Sequence, residues 1–329
     1  MSAPEFGSAA LHGGGSSATL LPALGGKLSE IHLAGRQWLW HNPSLPFALP
    51  KDGASYLRTA DSGGMDECFP TVAECRLPTW VKGAGDAGLP DHGELWSQAP
   101  DVTIETVDAG QRATCTWHGT RLPYRFVRAT TVRPDGSISF DYEVENLGPN
   151  RLPFVWSSHP LFPLTMQTRV VLPDGARTRV WAQYGAEFGG PLAEQRWPRL
   201  RAWGTMADMS RPANALPSAY ACKLFVDLPR TTTVIALEEG TARLEMTVDG
   251  ARVPTVGLWI NRGGWSAFAP SRSFLPWRRT TACSNIGIEP CIGAPDSLAE
   301  ALGAWDSAHW IEPRASIRWS MTWRGVAVS

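Results

Sequence analysis

Twelve residues near the middle of the chain decide its fold class: Pro134-Asp135-Gly136-Ser137-Ile138-Ser139-Phe140-Asp141-Tyr142-Glu143-Val144-Glu145. The Pro-Asp-Gly run favours a tight turn, because proline presets φ and glycine tolerates a positive φ. In the residues that follow, the apolar Ile138, Phe140, Tyr142 and Val144 alternate with polar residues. Successive side chains of a strand point to opposite faces, so this stretch predicts a β-hairpin arm with one buried face.

Turn signals of the same kind separate further β-rich runs along the chain. Pro173-Asp174-Gly175 and Asp249-Gly250 are two of them, and both are typical of hairpin connections. Helical periodicity is confined to residues 298–305, with a weaker signal at residues 191–197. We therefore predict an all-β fold, a large antiparallel β-sandwich with few short helices. Its further strands are expected at residues 103–107, 113–117, 125–132, 231–237, 242–248, 256–260 and 316–323.

The size and composition of the chain favour one domain. Its 329 residues are 43% hydrophobic, which suffices for a packed core and argues against wholesale disorder. Hairpin signals continue from about residue 20 to the C-terminus without a linker-like change of composition. We therefore predict a single β-sandwich domain over residues 18–329. The glycine- and serine-rich residues 13–17 indicate that residues 1–17 form a flexible N-terminal tail.

Charge, hydropathy and cysteine spacing argue against several classes of function. Lys and Arg (30) balance Asp and Glu (31) without a basic run, which argues against nucleic acid or an anionic membrane as a partner. The N-terminus lacks a signal-peptide pattern, and no stretch of about 18 apolar residues could span a membrane. The six cysteines lack the spacing of a zinc knuckle and do not demand a disulfide framework. We therefore expect a cytoplasmic protein without a metal.

A glutamate interrupts the apolar stretch Ser284-Asn285-Ile286-Gly287-Ile288-Glu289-Pro290-Cys291-Ile292, which is predicted to form a short inner strand. A carboxylate in such surroundings needs a partner, or its pKa must rise. Either arrangement provides a proton-handling group near neutral pH, as a general base requires. Glu289 is therefore a candidate base, and the alternative is a structural carboxylate that its partners satisfy.

Two of the seven histidines lie in segments that suit catalysis or binding. His159 lies in an aromatic and aliphatic run, so burial is expected to lower its pKa. The alternative for His159 is a core histidine bonded to the backbone. His92 lies in a loop with Asp91, Glu94 and Trp96 nearby, and loops on a rigid sheet commonly carry binding residues.

Adjacent carboxylates and numerous indoles are further candidates for binding. Asp66 and Glu67 follow paired glycines, where they could accept hydrogen bonds from sugar hydroxyls or simply be solvated in a turn. Most of the 16 tryptophans are expected in the core. Flat aromatic faces also line clefts that stack sugar rings, so some of the indoles can bind a ligand.

Three of these segments, in their order along the chain, resemble the aldose 1-epimerase (galactose mutarotase-like) superfamily. They are His92-Gly93 with Trp96 shortly after, Ser158-His159-Pro160-Leu161-Phe162, and Ile288-Glu289-Pro290 followed by Pro295-Asp296-Ser297. The Gly-Gly hairpin within residues 21–31 resembles the opening hairpin of the family. The resemblance extends over residues 20–325, and its weight comes from the order of the motifs.

The resemblance implies a fold, a reaction and roles for individual residues. The family fold is a many-stranded antiparallel β-supersandwich with a concave sugar cleft. By this resemblance Glu289 is the general base, His159 is the general acid, and His92 orients the sugar and polarises its ring oxygen. It implies a monosaccharide substrate, neither a metal nor another cofactor, and a monomer or homodimer. The further substrate-binding candidates are Asp66, Glu67 and Trp96.

The chain departs from galactose-type members of that family in one segment. Those members carry an arginine-containing segment before the first histidine, where this chain has Asp66-Glu67-Cys68-Phe69-Pro70-Thr71. Galactose is therefore not predicted as the substrate. Two alternatives to a mutarotase stay open. One is a non-catalytic carbohydrate-binding protein on the same fold, and the other is a glycosidase or lyase that uses paired acids such as Glu67 and Glu289.

Overall fold

The computed structural model describes residues 6–43, 45–50, 54–59, 61–190, 192–266 and 283–327. Within these ranges the helices are short: α1 (Tyr56–Thr59), α2 (Leu298–Ala301) and two 3-10 turns, Leu95–Ser97 and Pro212–Asn214. None of these described helices has the length and apolar character needed to cross a membrane. The strands are β1 (Ala9–Gly13), β2 (Ser16–Leu21), β3 (Lys27–Leu33), β4 (Arg36–Gln37), β5 (Met65–Cys68), β6 (Cys75–Arg76), β7 (Gly88–Leu89), β8 (Asp101–Val107), β9 (Gly110–His118), β10 (Tyr124–Val132), β11 (Ile138–Asn146), β12 (Leu152–Phe154), β13 (Trp156–Pro163), β14 (Thr168–Val171), β15 (Arg177–Tyr184), β16 (Glu194–Arg196), β17 (Arg199–Ala202), β18 (Thr205–Asp208), β19 (Tyr220–Asp227), β20 (Thr232–Glu239), β21 (Ala242–Asp249), β22 (Thr255–Arg262), β23 (Ser284–Ile292), β24 (His309–Ile311) and β25 (Ser316–Ala327).

Two large sheets form the body of the fold. The first has eleven strands, ten of them in the order β1-β2-β3-β5-β13-β23-β22-β19-β15-β16, with β4 paired to β3. The second has eight strands in the order β14-β20-β21-β25-β11-β10-β9-β8. Each named strand pair in the described parts of these sheets is antiparallel. The prediction of an all-β antiparallel sandwich with few short helices is confirmed.

The hydrophobic core lies between the two sheets and uses the apolar face predicted for residues 137–145. Phe140 and Tyr142 of β11 are buried, whereas Asp141 between them is exposed. The Trp156 indole, from β13 of the other sheet, packs against Tyr142 with ring centroids 4.9 Å apart. Trp319 of β25 stacks on Tyr142 at 5.2 Å. Aromatic side chains bury about 150–250 Å² each, so this cluster contributes strongly to the contact between the sheets.

Strand β23 lies inside the eleven-stranded sheet, and its two faces have different roles. It pairs with β13 on one side and with β22 on the other. Ile286 and Ile288 are fully buried in the core cluster. Because side chains alternate along a strand, Gly287 and Glu289 lie on the opposite face, which we call the outer face of the sheet. The fold therefore places the candidate base on the outer face.

The N-terminal segment differs from the flexible tail expected for residues 1–17. β1 and β2 pair with each other at the edge of the eleven-stranded sheet. Gly14 and Gly15 lie between them with φ of 56° and 81°. The glycine-rich run is therefore a hairpin turn rather than a linker, because glycine adopts positive φ without steric cost. Leu11 is fully buried in the core, and residues 1–5 lie outside the described residues.

The two helical predictions have different outcomes. The prediction at residues 298–305 is confirmed in part by α2, whose first turn is capped by the Ser297 hydroxyl accepting from the Glu300 N–H. The weaker prediction at residues 191–197 is wrong, because Glu194–Arg196 forms β16 and pairs with β15. A helix of one or two turns is marginal alone, so cross-strand hydrogen bonds decide the conformation of this segment.

Replacing Leu11 with alanine should lower the free energy of unfolding by about 2–5 kcal/mol, because the change removes buried apolar contacts and leaves a cavity. His12→Ala is the matched control, since the neighbouring His12 side chain is exposed, and it should change stability by less than about 0.5 kcal/mol. Urea denaturation of the parent and both variants measures the difference. A Leu11→Ala variant as stable as the parent would favour the flexible tail after all.

Candidate active site

A cavity of about 250 Å³, which we call the cleft, opens beside the outer face of the eleven-stranded sheet. Its wall combines charged and aromatic side chains, as small-molecule sites commonly do. The charged and histidine residues that line it are Asp61, Asp91, His92, His159, Lys223 and Asp296. The aromatic residues that line it, which we call the aromatic wall, are Trp181, Tyr184, Trp259 and Trp265.

Glycines on two neighbouring strands leave room for the ionised side chains of the site. Gly257 of β22 pairs with Glu289 of β23. A Cβ atom at Gly287 would lie 2.6 Å from Glu289 Oε1, and a Cβ atom at Gly257 would lie 3.3 Å from Lys223 Nζ. Any side chain at Gly287 would therefore displace the Glu289 carboxylate. The glycine at position 287 is therefore required for the observed position of the carboxylate.

The partner that the sequence requires for Glu289 is Lys223, on β19. Lys223 Nζ lies 2.5 Å from Glu289 Oε2 and 3.4 Å from Asp296 Oδ1. Burial lowers the pKa of Lys223, but Asp296 and Glu289 outweigh it, so the net pKa is raised and the ammonium group stays charged. Burial raises the pKa of Asp296 to about 6, although Lys223 opposes the shift. The site therefore holds a permanent cation between two carboxyl groups.

The two oxygens of Glu289 differ in their partners. Glu289 Oε1 makes no hydrogen bond among the described residues, and it lies 3.8 Å from His159 Nε2. The Ser157 hydroxyl and Lys223 both lie on the other oxygen, Oε2. An unpaired buried acceptor is costly in a folded protein. Such an atom in a candidate active site is explained if a ligand hydroxyl completes its hydrogen bonding.

The His92 loop is held in an unusual backbone conformation. His92 has φ of 59° and Gly93 has φ of 71°, both in the left-handed region. The His92 N–H donates to the Val72 carbonyl at 2.5 Å, which ties the loop to the segment after β5. Left-handed backbone at a non-glycine residue is uncommon and recurs at functional sites. A Cβ at Gly93 would lie 2.3 Å from the Phe69 carbonyl oxygen, so glycine is required there.

Side-chain contacts fix the His92 ring within this loop. Asp91 Oδ1 lies 3.0 Å from His92 Nδ1, and the Tyr56 ring stacks on the imidazole at 3.8 Å with an interplanar angle of 12°. The His159 ring meets His92 edge-to-face with centroids 4.9 Å apart. The two histidines predicted from the sequence are therefore neighbours, and Glu289 contacts one of them.

The two neighbouring imidazoles differ in their affinity for protons. Burial lowers the pKa of His159 well below its usual value, and the positive charges of His92, Lys223 and Lys27 lower it further. Burial also lowers the pKa of His92, but Asp91 raises it by charge and hydrogen bond, with a net increase. His92 is therefore the more basic of the two imidazoles. Nearby, burial raises the pKa of the Asp61 carboxyl to about 7.

Asp66 and Glu67 do not line the cleft, and for Glu67 the prediction of substrate binding is wrong. As neighbours on β5 they point to opposite faces of the sheet. Glu67 lies in the core, where Arg128 Nη1 is 3.4 Å away and the Tyr142 hydroxyl and Trp156 indole donate to it. These partners satisfy the carboxylate, so it is structural.

Asp66 and Trp96 support the site from behind instead of lining it. Asp66 is buried, forms an ion pair with Lys27 and accepts a hydrogen bond from the Tyr56 hydroxyl at 2.7 Å. The Trp96 indole donates to the Asp91 carbonyl at 3.0 Å and is almost fully buried. Both therefore anchor residues that contact His92, and neither is among the residues that line the cleft.

Sequence reasoning missed Lys223, Tyr56 and the aromatic wall. Lys223 interrupts the apolar run Tyr220-Ala221-Cys222-Lys223-Leu224-Phe225-Val226, which is the same signal that singles out Glu289. Two lone charges of opposite sign in separate inner strands indicate a buried pair, because neither could be buried alone. Tyr56 and the aromatic wall carry no comparable sequence signal, since most aromatic residues of this chain serve the core.

The comparisons with known proteins bear on the fold. No family model and no curated protein matches this chain. A galactose mutarotase related enzyme from Lactobacillus acidophilus aligns with a TM-score of 0.60 at 13% identity, over 98% of both chains. A galactose mutarotase-like protein from Clostridium acetobutylicum aligns at 0.61 and 12% identity, over 97% of this chain and 95% of that one. A candidate aldose 1-epimerase from Escherichia coli K12 aligns at 0.57 and 15% identity, over 98% and 99%.

This chain has the galactose mutarotase-like fold. The resemblance seen in the sequence is therefore confirmed at the level of the fold. Because one fold hosts unrelated functions, the activity of this mutarotase-like chain has to be argued from the cleft itself.

Lys223→Met should lower the free energy of unfolding by about 3–5 kcal/mol, because it leaves two buried carboxyl groups without their cation. The double variant Lys223→Met/Glu289→Gln should recover part of that loss, since one of the uncompensated charges is then gone. Lys82→Met, at an exposed lysine, is the control. Urea denaturation measures all three, and a Lys223→Met variant as stable as the control would contradict the buried pair.

Proposed function

We propose that this protein is an aldose 1-epimerase that interconverts the α and β anomers of a free aldose without a cofactor. The observation that carries the proposal is the unpaired Oε1 of Glu289, 3.8 Å from His159 Nε2 beside a cleft of about 250 Å³. One sugar hydroxyl can hydrogen-bond to both atoms, since such bonds span roughly 2.6–3.2 Å. Glu289 itself is fully buried and does not line the cleft, so in this proposal the anomeric hydroxyl reaches Oε1 past His159, which does line it.

The chemistry follows from these residue types. Glu289 Oε1 takes the proton of the anomeric hydroxyl, the C1–O5 bond breaks, and a histidine gives a proton to the ring oxygen. Rotation about C1–C2 and reversal of both transfers close the other anomer. A positioned base and a positioned acid each contribute about 10²–10⁴-fold to the rate. Lys223 and the Ser157 hydroxyl both lie on Oε2, which leaves Oε1 for the substrate hydroxyl.

The aromatic wall supports a carbohydrate as the ligand. Trp259 lies at its centre, with ring centroids 5.6 Å from Trp265 and 6.4 Å from Tyr184, both edge-to-face. Flat apolar rings complement the C–H faces of pyranoses, while the carboxyl groups of Asp61, Asp91 and Asp296 can accept from hydroxyls. The combination favours an uncharged sugar over an apolar ligand.

A non-catalytic carbohydrate-binding protein is the second candidate function. It is favoured by the full burial of Glu289 and its ion pair with Lys223, because both would also suit a structural carboxylate. Sugar binding that persists in Glu289→Gln, together with no turnover by the parent, would select it. The glycosidase or lyase alternative loses its basis, because Glu67 and Glu289 point to opposite faces of the sheet and cannot flank one glycosidic bond.

Glu289→Gln should reduce kcat for anomerisation by about 10²–10⁴-fold, because the amide cannot accept the anomeric proton. Crystalline α anomers of several aldoses and aldose phosphates are dissolved in weak buffer, and the approach to equilibrium is followed by polarimetry or NMR. Glu312→Gln, at an exposed carboxylate paired with Arg151, is the matched control and should retain the parent rate. The enzyme proposal fails if no sugar in the panel anomerises faster with the parent than with Glu289→Gln.

Trp259→Ala should raise KM for the sugar by roughly 3- to 10-fold with little change in kcat, because ring stacking holds substrate and transition state alike. Trp80→Ala, at an exposed indole outside the cleft, is the control and should leave both constants unchanged. Steady-state kinetics on the sugar that the panel identifies measures both. A fall in kcat at constant KM would contradict a stacking role.

A further inference from the structure

We propose that Asp91 and His92 form the pair that protonates the sugar ring oxygen, while His159 acts as a neutral partner of the anomeric hydroxyl. This inference rests on the proposed mutarotase function, and it moves the acid role from His159, where the sequence resemblance places it, to His92. The inference rests on the hydrogen-bond partners and charged neighbours of the two imidazole rings, which differ.

The first observation is the placement of the His92 ring. Its Nδ1 is occupied by Asp91 Oδ1 at 3.0 Å, and its Nε2 has no protein partner among the described residues. His92 lines the cleft, and because Asp91 occupies Nδ1, Nε2 is the ring nitrogen left to donate to a ligand there. A ring with a carboxylate on one nitrogen and the substrate space on the other has the arrangement of a proton donor.

The second observation is how firmly the donor pair is fixed. Asp91 is anchored through its carbonyl by the Trp96 indole, and His92 through its N–H by the Val72 carbonyl. The Tyr56 ring stacks on the imidazole, and burial raises the pKa of its phenol well above 10, so it stays neutral. A neutral aromatic face attracts a cation lying on it. The surroundings therefore hold the ring in place and favour its protonated form.

The third observation is the contrast with His159. Its Nδ1 is buried and has no hydrogen-bond partner among the described residues, so no carboxylate stabilises a second proton there. Its Nε2 lies 3.8 Å from Glu289 Oε1, and Glu289 is also paired with Lys223. The cations His92, Lys223 and Lys27 all disfavour its protonation. A neutral His159 can still hydrogen-bond to the anomeric oxygen as Glu289 deprotonates it.

The charged and titratable groups around His92 favour the same assignment. Asp91 comes from its own loop, Asp61 follows α1, and Asp296 precedes α2, and each raises the pKa of His92. Tyr56 of α1 and His159 of β13 complete its surroundings. Three carboxyl groups thus raise the pKa of this imidazole, and Asp91 is the one among them that contacts it.

The proton transfers balance without any further reactant. The proton on His92 Nε2 moves to O5 as the C1–O5 bond breaks and its electron pair goes to O5. Glu289 Oε1 takes the anomeric proton, and the C1–O1 bond becomes the carbonyl of the open-chain aldose. His92 is left neutral with its Nδ1–H on Asp91, and Glu289 is left protonated. Ring closure after rotation about C1–C2 returns both protons.

The pH dependence of kcat/KM in Asp91→Asn distinguishes His92 from His159 as the donor. The two assignments predict different shifts of the alkaline limb relative to the parent. If His92 is the donor, activity is lost as pH rises through its pKa, and removing Asp91 lowers that pKa. The alkaline limb then moves to lower pH than in the parent, and Asp91→Glu moves it back. If His159 is the donor, His92 loses its charge at a lower pH in the variant and then repels a proton on His159 less. The pKa of His159 rises or is unchanged, so the alkaline limb moves to higher pH or stays where it is. Asp86→Asn, at an exposed carboxylate, is the control.

NMR titration of the two imidazoles in the parent gives a readout that does not need activity or the Asp91 variant. Expected is a His92 ring that is protonated to higher pH than a free histidine, and a His159 ring that stays neutral down to acidic pH. The reverse order would overturn the assignment. Failure of the parent to anomerise any sugar removes the proposed function itself, whereas anomerisation with an unmoved or raised alkaline limb in Asp91→Asn removes only the donor role of His92.

Discussion

The ion pair between Lys223 and Glu289 is the interaction on which the rest of the site depends. A carboxylate buried to this extent requires a cation, and Lys223 supplies it on Oε2, with Asp296 as a second acidic neighbour. Gly257 and Gly287 provide the space for both side chains. Because Lys223 and the Ser157 hydroxyl are on Oε2, the other oxygen, Oε1, is the one that lies beside His159. The same pair that makes the charge tolerable thus determines which oxygen is left beside His159.

Strands β5 and β23 of the eleven-stranded sheet each place one side chain in the core and the next at the candidate site. On β23, Ile286 and Ile288 pack in the core while Glu289 faces outward, and on β5 the core receives Glu67 while Asp66 supports the site. A register shift of one residue would exchange these faces. The positions of the acidic groups are therefore determined by the same core packing that holds the two sheets together.

Much of this architecture could be predicted from the sequence, because its signals are local. The alternation in residues 137–145 and the Pro-Asp-Gly turns are properties of neighbouring residues, and a lone glutamate among isoleucines indicates a buried charge wherever the chain folds. The tail and Glu67 could not be predicted in this way. Whether glycines form a turn or a linker depends on the strand that pairs beyond them, and the face on which Glu67 lies depends on Arg128, 61 residues away along the chain.

A crystal structure of the parent protein with an aldopyranose bound is the most direct test of the claim that Glu289 is the base. Glu289 as the base predicts an anomeric oxygen within about 3.2 Å of Glu289 Oε1, a ring oxygen near His92 Nε2, and the sugar face against Trp259. A sugar held in the cleft with its anomeric carbon far from Glu289, and with the Lys223–Glu289 pair undisturbed, would contradict it.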